Sequence, residues 1–236
     1  HDFNVSQNRL SVFTAPAGFG KTTAVLLSLS DYRDNIKWYR MNREDSILHV
    51  WYSRLITVLF SDKDTASVYN TDSMKMLKGI RNIDDNYPLL NAQIVQDAYV
   101  MYENNDERMF LVFDDFHFAV DNNIIIDTIQ YLVENLPQGI SVVITSRLDP
   151  KIISGRIALR NDVQKINSKD LIFTKSEAYS LINDIYGLNM SNRRIDTIYK
   201  RTEGWAAGLY LLCGNKKISG KDIKTIGFGK NGEEIF

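Results

Sequence analysis

Nine consecutive residues, Ala15-Pro16-Ala17-Gly18-Phe19-Gly20-Lys21-Thr22-Thr23, have the types and spacing to hold a polyphosphate. They match G-x-x-x-x-G-K-[ST] except that Ala15 stands where the first glycine usually is, a change of one methyl group. In such a loop the main-chain N–H groups of Ala17, Gly18, Phe19, Gly20 and the residues after them point toward an anion. The N-terminus of the following helix adds partial positive charge. Lys21 reaches the β- and γ-phosphates, Thr22 offers its hydroxyl to Mg²⁺, and Thr23 completes the cradle. The implied ligand is a nucleoside triphosphate.

A second group lies downstream. The apolar run Met109-Phe110-Leu111-Val112-Phe113 ends on Asp114-Asp115. A carboxylate at the C-terminal end of a strand beside the phosphate loop holds Mg²⁺ directly or through water, which is the role of Asp114. Asp115, one position on, is placed to polarise an attacking water as general base. Taken alone, the same run is also what a strand ending in a solvated acidic turn looks like. His117 either orients Asp115 or faces solvent. Thr145-Ser146-Arg147 ends the next strand, and Arg147 is a candidate to sense or stabilise the γ-phosphate, the alternative being a surface arginine.

The elements that must position these residues follow from the apolar pattern. Leu10 to Phe13 reads as a buried strand running into the loop, and Ala24 to about Ser30 as the helix after it. Ile36–Met41 is a second strand. Asp45-Ser46 is placed to cap a helix carrying Ile47, Leu48, Trp51, Leu55, Val58 and Leu59. The stretch from Ser61 to Asn86 gives no clear pattern. Leu89 to Glu103 reads as a helix. The Met109 run is a central parallel strand, followed by a helix over Asn123 to Glu134, a strand over Ile140 to Thr145 and a last strand near Val163 to Ile166. Alternation of this kind defines an α/β fold, a P-loop NTPase parallel sheet flanked by helices. After Ser168 the pattern is helical only: a capping box at Thr174–Glu177, a helix capped by Ser191 and ended by Glu203-Gly204, then an apolar helix from Trp205 to Cys213. The expected organisation is a nucleotide-binding domain over 1–168 and a small all-α arm domain over 169–215. Residues 216–236, rich in Lys and Gly, are expected to be a linker or the start of a missing unit.

Composition narrows the class. A net charge of −1 gives no global basic field for nucleic acid. The one cysteine, Cys213, rules out an internal disulfide and fits a reducing cytoplasm. No apolar run reaches the roughly 18–20 residues of a membrane span, so no membrane partner is expected. The chain begins at His1 and ends on Glu234-Ile235-Phe236, as an excerpt of a longer protein would.

Together the phosphate loop, Trp38-Tyr39, Leu111-Val112-Phe113-Asp114-Asp115-Phe116-His117, Thr145-Ser146-Arg147 and Thr202-Glu203-Gly204-Trp205-Ala206-Ala207-Gly208-Leu209 carry a resemblance. The chain resembles the nucleotide-binding module of STAND ATPases, in the MalT-like branch of large ATP-binding LuxR-family regulators. The resemblance implies a switch in signal transduction and transcription regulation, with ATP/ADP and Mg²⁺ as cofactors. It implies an ADP-bound closed resting state and self-association with ATP. An effector, small molecule or protein, and DNA would be met only through missing domains. By the same resemblance, the missing unit that residues 216–236 would begin is a winged-helix domain. It also implies that the arm closes on the nucleotide at Gly204-Trp205, the alternative being that Trp205 packs the arm's own core.

Other readings have different requirements. A regulatory GTPase needs N-K-x-D, and Asn167-Ser168-Lys169-Asp170 has the wrong spacing. A small-molecule kinase needs an arginine-rich lid, which a tandem-acid strand followed by a helical arm does not supply. A scaffold that binds the nucleotide without hydrolysing it remains open. Asp115→Asn separates it from a slow regulatory ATPase: turnover falls if Asp115 is the base, and unchanged turnover removes that role.

Overall fold

The computed structural model describes residues 3–61, 70–102 and 107–214. The expected 216–236 linker and the helix end at Glu103 lie outside the described residues. Contacts divide the chain into two units, His1–Thr14 with Thr22–Ile166, and Ala15–Lys21 with Asn167–Phe236.

The first unit is an α/β sheet with strands β1 (Leu10–Thr14), β2 (Ile36–Arg40), β3 (Met109–Asp114), β4 (Ile140–Ser146) and β5 (Val163–Asn167) in the order β2-β3-β4-β1-β5. β3 and β4 are buried at every position, as the apolar runs Met109–Phe113 and Val142–Ile144 require of strands covered on both faces. Their parallel register sets Phe113 opposite Ile144, and β2 lies parallel to β3 with Arg40 opposite Asp114. Carboxyl ends of neighbouring strands are thereby brought level, the arrangement in which parallel sheets present functional groups.

The helices are α1 (Lys21–Ser28), α2 (Leu48–Phe60), α3 (Asp72–Gly79), α4 (Ile83–Tyr102) and α5 (Asn123–Asn135). Three buried side chains tie α2, α4 and α5 together: Tyr52 donates to Asn91 Oδ1 at 2.9 Å, and Thr128 Oγ1 lies 2.7 Å from the phenol and accepts from Asn91 Nδ2 at 3.1 Å. Each polar atom there has a partner, so the network orders the helices without leaving a buried group unsatisfied.

The cap expected at Asp45-Ser46 is corrected. Asn42 caps a short 3₁₀ turn, Arg43–Ser46, and α2 begins after Ile47 with no side-chain cap. Asp45 is fully buried instead. It accepts from Tyr39 Oη at 2.6 Å, from Asn42 N at 2.6 Å and from Arg54 Nη1 at 2.6 and 2.7 Å. Arg54 also lies over the Tyr39 ring, 4.9 Å from its centroid. Burial and the bond to Asp45 push the Tyr39 hydroxyl far above its ordinary range, so it stays a neutral donor.

Arg9, in the segment before β1, is 4% exposed. Its guanidinium donates to the carbonyls of Val133 and Pro137 at 2.7 Å, of Leu136 at 2.6 Å, and also of Leu132 and Ile140. It therefore closes the C-terminus of α5, where unpaired carbonyls and the negative end of the helix dipole gather. Burial pushes its pKa down to about 10, which leaves it charged at neutral pH.

The second unit contains the phosphate loop and helices α6 (Ser168–Leu171), α7 (Lys175–Ser180), α8 (Asn192–Thr202) and α9 (Ala206–Gly214), with a π-helical turn at Leu181–Ile185 after α7. Ala178, Ile182, Ile195, Ile198, Leu209, Leu212 and Cys213 form its core. The Thr174–Glu177 capping box is present. Ser191 occupies the N-cap of α8 without a side-chain bond, so that expected cap is only positional. The N-S-K-D string is a capping box as well: Asn167 accepts from Lys169 N at 2.9 Å, and Asp170 accepts from Asn167 N at 2.8 Å. Its polar groups serve the helix start rather than a base.

Candidate functional site

In the second unit, the loop from Ala15 to Lys21 turns through two left-handed glycines, Gly18 at φ 78° and Gly20 at φ 77°. Glycine adopts this backbone without the clash that a Cβ brings, and paired left-handed residues give the concave main chain that takes an anion. Ala15 is buried, so its extra methyl is accommodated where a glycine is usual. Lys21 is 8% exposed and donates Nζ to the carbonyls of Ala15 at 2.7 Å and Pro16 at 3.0 Å. Its ammonium is thus held within the loop that it would serve.

The motif Gly204-Trp205-Ala206-Ala207-Gly208 packs against this loop. Ala207 N–H donates to Gly18 O at 3.0 Å, and Trp205 lies tilted against Phe19 with ring centroids 6.4 Å apart. A Cβ on Gly18 would come within 2.8 Å of Ala207 Cβ and 2.9 Å of Trp205 Cζ2, so contact depends on glycine there. The two glycines of the motif have a comparable reason. Gly204, at φ 81°, passes so close to Phe173 that a Cβ would collide with its carbonyl oxygen. A Cβ on Gly208 would meet the Trp205 ring at 2.8 Å. Trp205 therefore packs on phosphate-loop residues rather than only within the arm's core.

In the first unit, Asp114 is 3% exposed at the end of β3. Its Oδ1 accepts from Thr22 Oγ1 at 2.9 Å and from Thr145 Oγ1 at 2.6 Å. Asp115 follows with φ 60°, a left-handed backbone unusual for an aspartate. Its N–H donates to Thr145 Oγ1 at 3.1 Å. Its carboxylate lies 3.6 Å from Arg40 Nε and 3.7 Å from His117 Nδ1. His117 thus stands beside Asp115. Arg147 follows β4, is exposed, and takes part in none of these bonds. Thr23 is exposed in the first turn of α1.

The residues present fit Mg²⁺ and a nucleotide. Among the described residues no group of three or more His, Cys, Asp or Glu could hold a metal ion. The hydroxyl–carboxylate pair Thr22–Asp114 is instead the sparse donor set that suits Mg²⁺, which keeps waters and shares phosphate oxygens. Two participants have no role that the motifs assign. Thr145 was passed over for its neighbour Arg147, and Arg40 was read only as a strand residue. For Thr145 a signal existed in sequence, a hydroxyl ending an apolar strand next to tandem acids.

The sheet order β2-β3-β4-β1-β5 with a glycine loop after β1 is that of an α/β P-loop NTPase fold. A STAND protein with a tetratricopeptide repeat sensor from Pyrococcus horikoshii superposes with a TM-score of 0.64 at 21% identity, covering 92% of this chain and 28% of that one. The Walker-type ATPase of Pyrococcus abyssi gives 0.55 at 13% identity, over 92% of this chain and 65% of that one. In sequence, the chain is homologous to MalT-like regulators over 87% of its length. The HTH-type transcriptional regulator MalT of Vibrio campbellii is 24% identical over 205 residues, and that of Vibrio parahaemolyticus 23% over 205. The chain spans 22% of the length of these curated relatives. No protein-family model matches it. No helix among the described residues is long and apolar enough to cross a membrane.

Proposed function

We propose that this chain is the ATP-binding, slowly hydrolysing switch module of a bacterial transcriptional regulator, with residues 1–168 binding nucleotide and 169–215 acting as the arm. The observation that carries the reading is the packing of Trp205 and Ala207 on Gly18, which links the state of the phosphate loop to the arm. Homology to MalT supports the regulatory setting. Lys21 neutralises phosphate charge and the loop's main chain orients it. Thr22 and Asp114 hold Mg²⁺, which when bound offsets charge on the phosphate oxygens. Asp115 takes the proton of the attacking water, and Arg147 stabilises the transferring group. ADP marks the closed resting state and ATP the self-associating one. Effector binding, DNA contact through a C-terminal domain and a cytoplasmic location belong to the proposed whole regulator.

The test is to denature the purified chain and identify the nucleotide that it releases. Near-stoichiometric ADP is expected, with none from Lys21→Ala, whose affinity falls roughly thirtyfold or more. A chain that is empty and also fails to bind added ATP with Mg²⁺ overturns the reading.

A further inference from the structure

We infer that Thr145 is the positioning residue of the acid pair, fixing the Asp114 carboxylate against Thr22 and holding Asp115 in its left-handed backbone. The inference rests on the reading of this site as a Mg²⁺–nucleotide centre. Its basis is a run of three hydrogen bonds, two of them made by the Thr145 hydroxyl. Asp115 N–H donates to Thr145 Oγ1 at 3.1 Å, which leaves the hydroxyl proton for Asp114 Oδ1 at 2.6 Å. The same Oδ1 receives the Thr22 hydroxyl at 2.9 Å. A hydroxyl at the end of the apolar run Val142-Val143-Ile144, fully buried, is unfavourable unless its bonding capacity is used. Here it is used twice, once toward each acid.

The arrangement has two effects. Rotation of the Asp114 carboxylate is set by Thr145, so Thr22 and a cation meet a group already in place. Asp115, whose φ of 60° is disfavoured for any residue with a Cβ, is held there by its N–H bond. Thr145 thus joins the metal side of the site to the proposed base through contacts inside one unit of the fold.

The experiment measures binding of fluorescent ADP and ATP to the 236-residue chain, with Mg²⁺ and with EDTA. Thr145→Val, close in shape, is expected to leave the affinity in EDTA within about twofold while losing roughly tenfold or more of the Mg²⁺-dependent gain for ATP. Thr145→Ser is expected to restore most of that gain. A valine chain that keeps the gain overturns the assignment, and so does a serine chain that fails to restore it, since side-chain shape would then be what matters. Should the valine chain fail to fold, Thr145→Cys, with its weak S–H donor, carries the same comparison. An unsubstituted chain that binds no nucleotide in either condition overturns the reading of the site and this assignment with it. A gain present in the unsubstituted chain and untouched by valine overturns the assignment alone.

Discussion

Gly18→Ala is expected to destabilise the helical unit by about 2–5 kcal/mol, the sum of left-handed strain and a forced contact. The new Cβ would lie 2.8 Å from Ala207 Cβ and 2.9 Å from the Trp205 ring, well inside van der Waals contact. Trp205 cannot simply retreat, because its other face lies on Gly208, where a Cβ would meet the ring at 2.8 Å. Gly187→Ala is the control. Gly187 has φ 62° in the same unit but nothing within 4 Å of its would-be Cβ, so it loses only the backbone term, about 1–2 kcal/mol. Hydrogen exchange over residues 15–21 and 167–214 reads both losses locally, which suits a chain of two units. Equal losses for the two substitutions would show that the arm does not constrain the loop.

Arg9→Met is expected to lower the stability of the sheet unit by about 3–5 kcal/mol. The apolar part of the side chain is kept, but the carbonyls of Leu132, Val133, Leu136, Pro137 and Ile140 lose their shared donor in a buried place. Arg9→Lys keeps the charge without the planar fork and is expected to recover less than half. Denaturant unfolding measures both. A loss under about 1 kcal/mol for methionine would mean that water replaces the guanidinium without penalty.

Arg9 also shows where sequence reading stops. Its partners are main-chain carbonyls over 120 residues away, which leave no trace in side-chain pattern. By contrast β1, β3 and β4 were legible because burial on both faces demands mostly apolar runs, broken in β1 and β4 only by small hydroxyl residues. The segment from Ser61 to Asn86 hid α3, a helix of eight residues with only Ser73, Met74 and Leu77 buried. It also hid the start of α4, which runs from Ile83 and holds Pro88 in its interior. Asn82 with Asp84 and Asp85 was the signal there, since its Oδ1 accepts from Asp84 N at 3.2 Å. Asp45 misled because a carboxylate before a helix is usually a cap, and nothing local announces Tyr39 and Arg54 as partners. In the site, the loop and the tandem acids were legible as contiguous strings. The role of Thr145 was not, because it depends on the register that sets Phe113 opposite Ile144.

The grouping of Ala15–Lys21 with the helical unit has a consequence for biosynthesis. About 190 residues of chain separate Gly18 from Ala207, so at ribosomal rates of roughly 5–20 residues per second the loop waits about 10–40 s for its packing partner. During that interval every strand of the sheet has already been synthesised. The phosphate loop, though among the earliest segments translated, is therefore one of the last to reach its final contacts. A nascent chain halted before α9 has its strands but not the residues that pack on that loop.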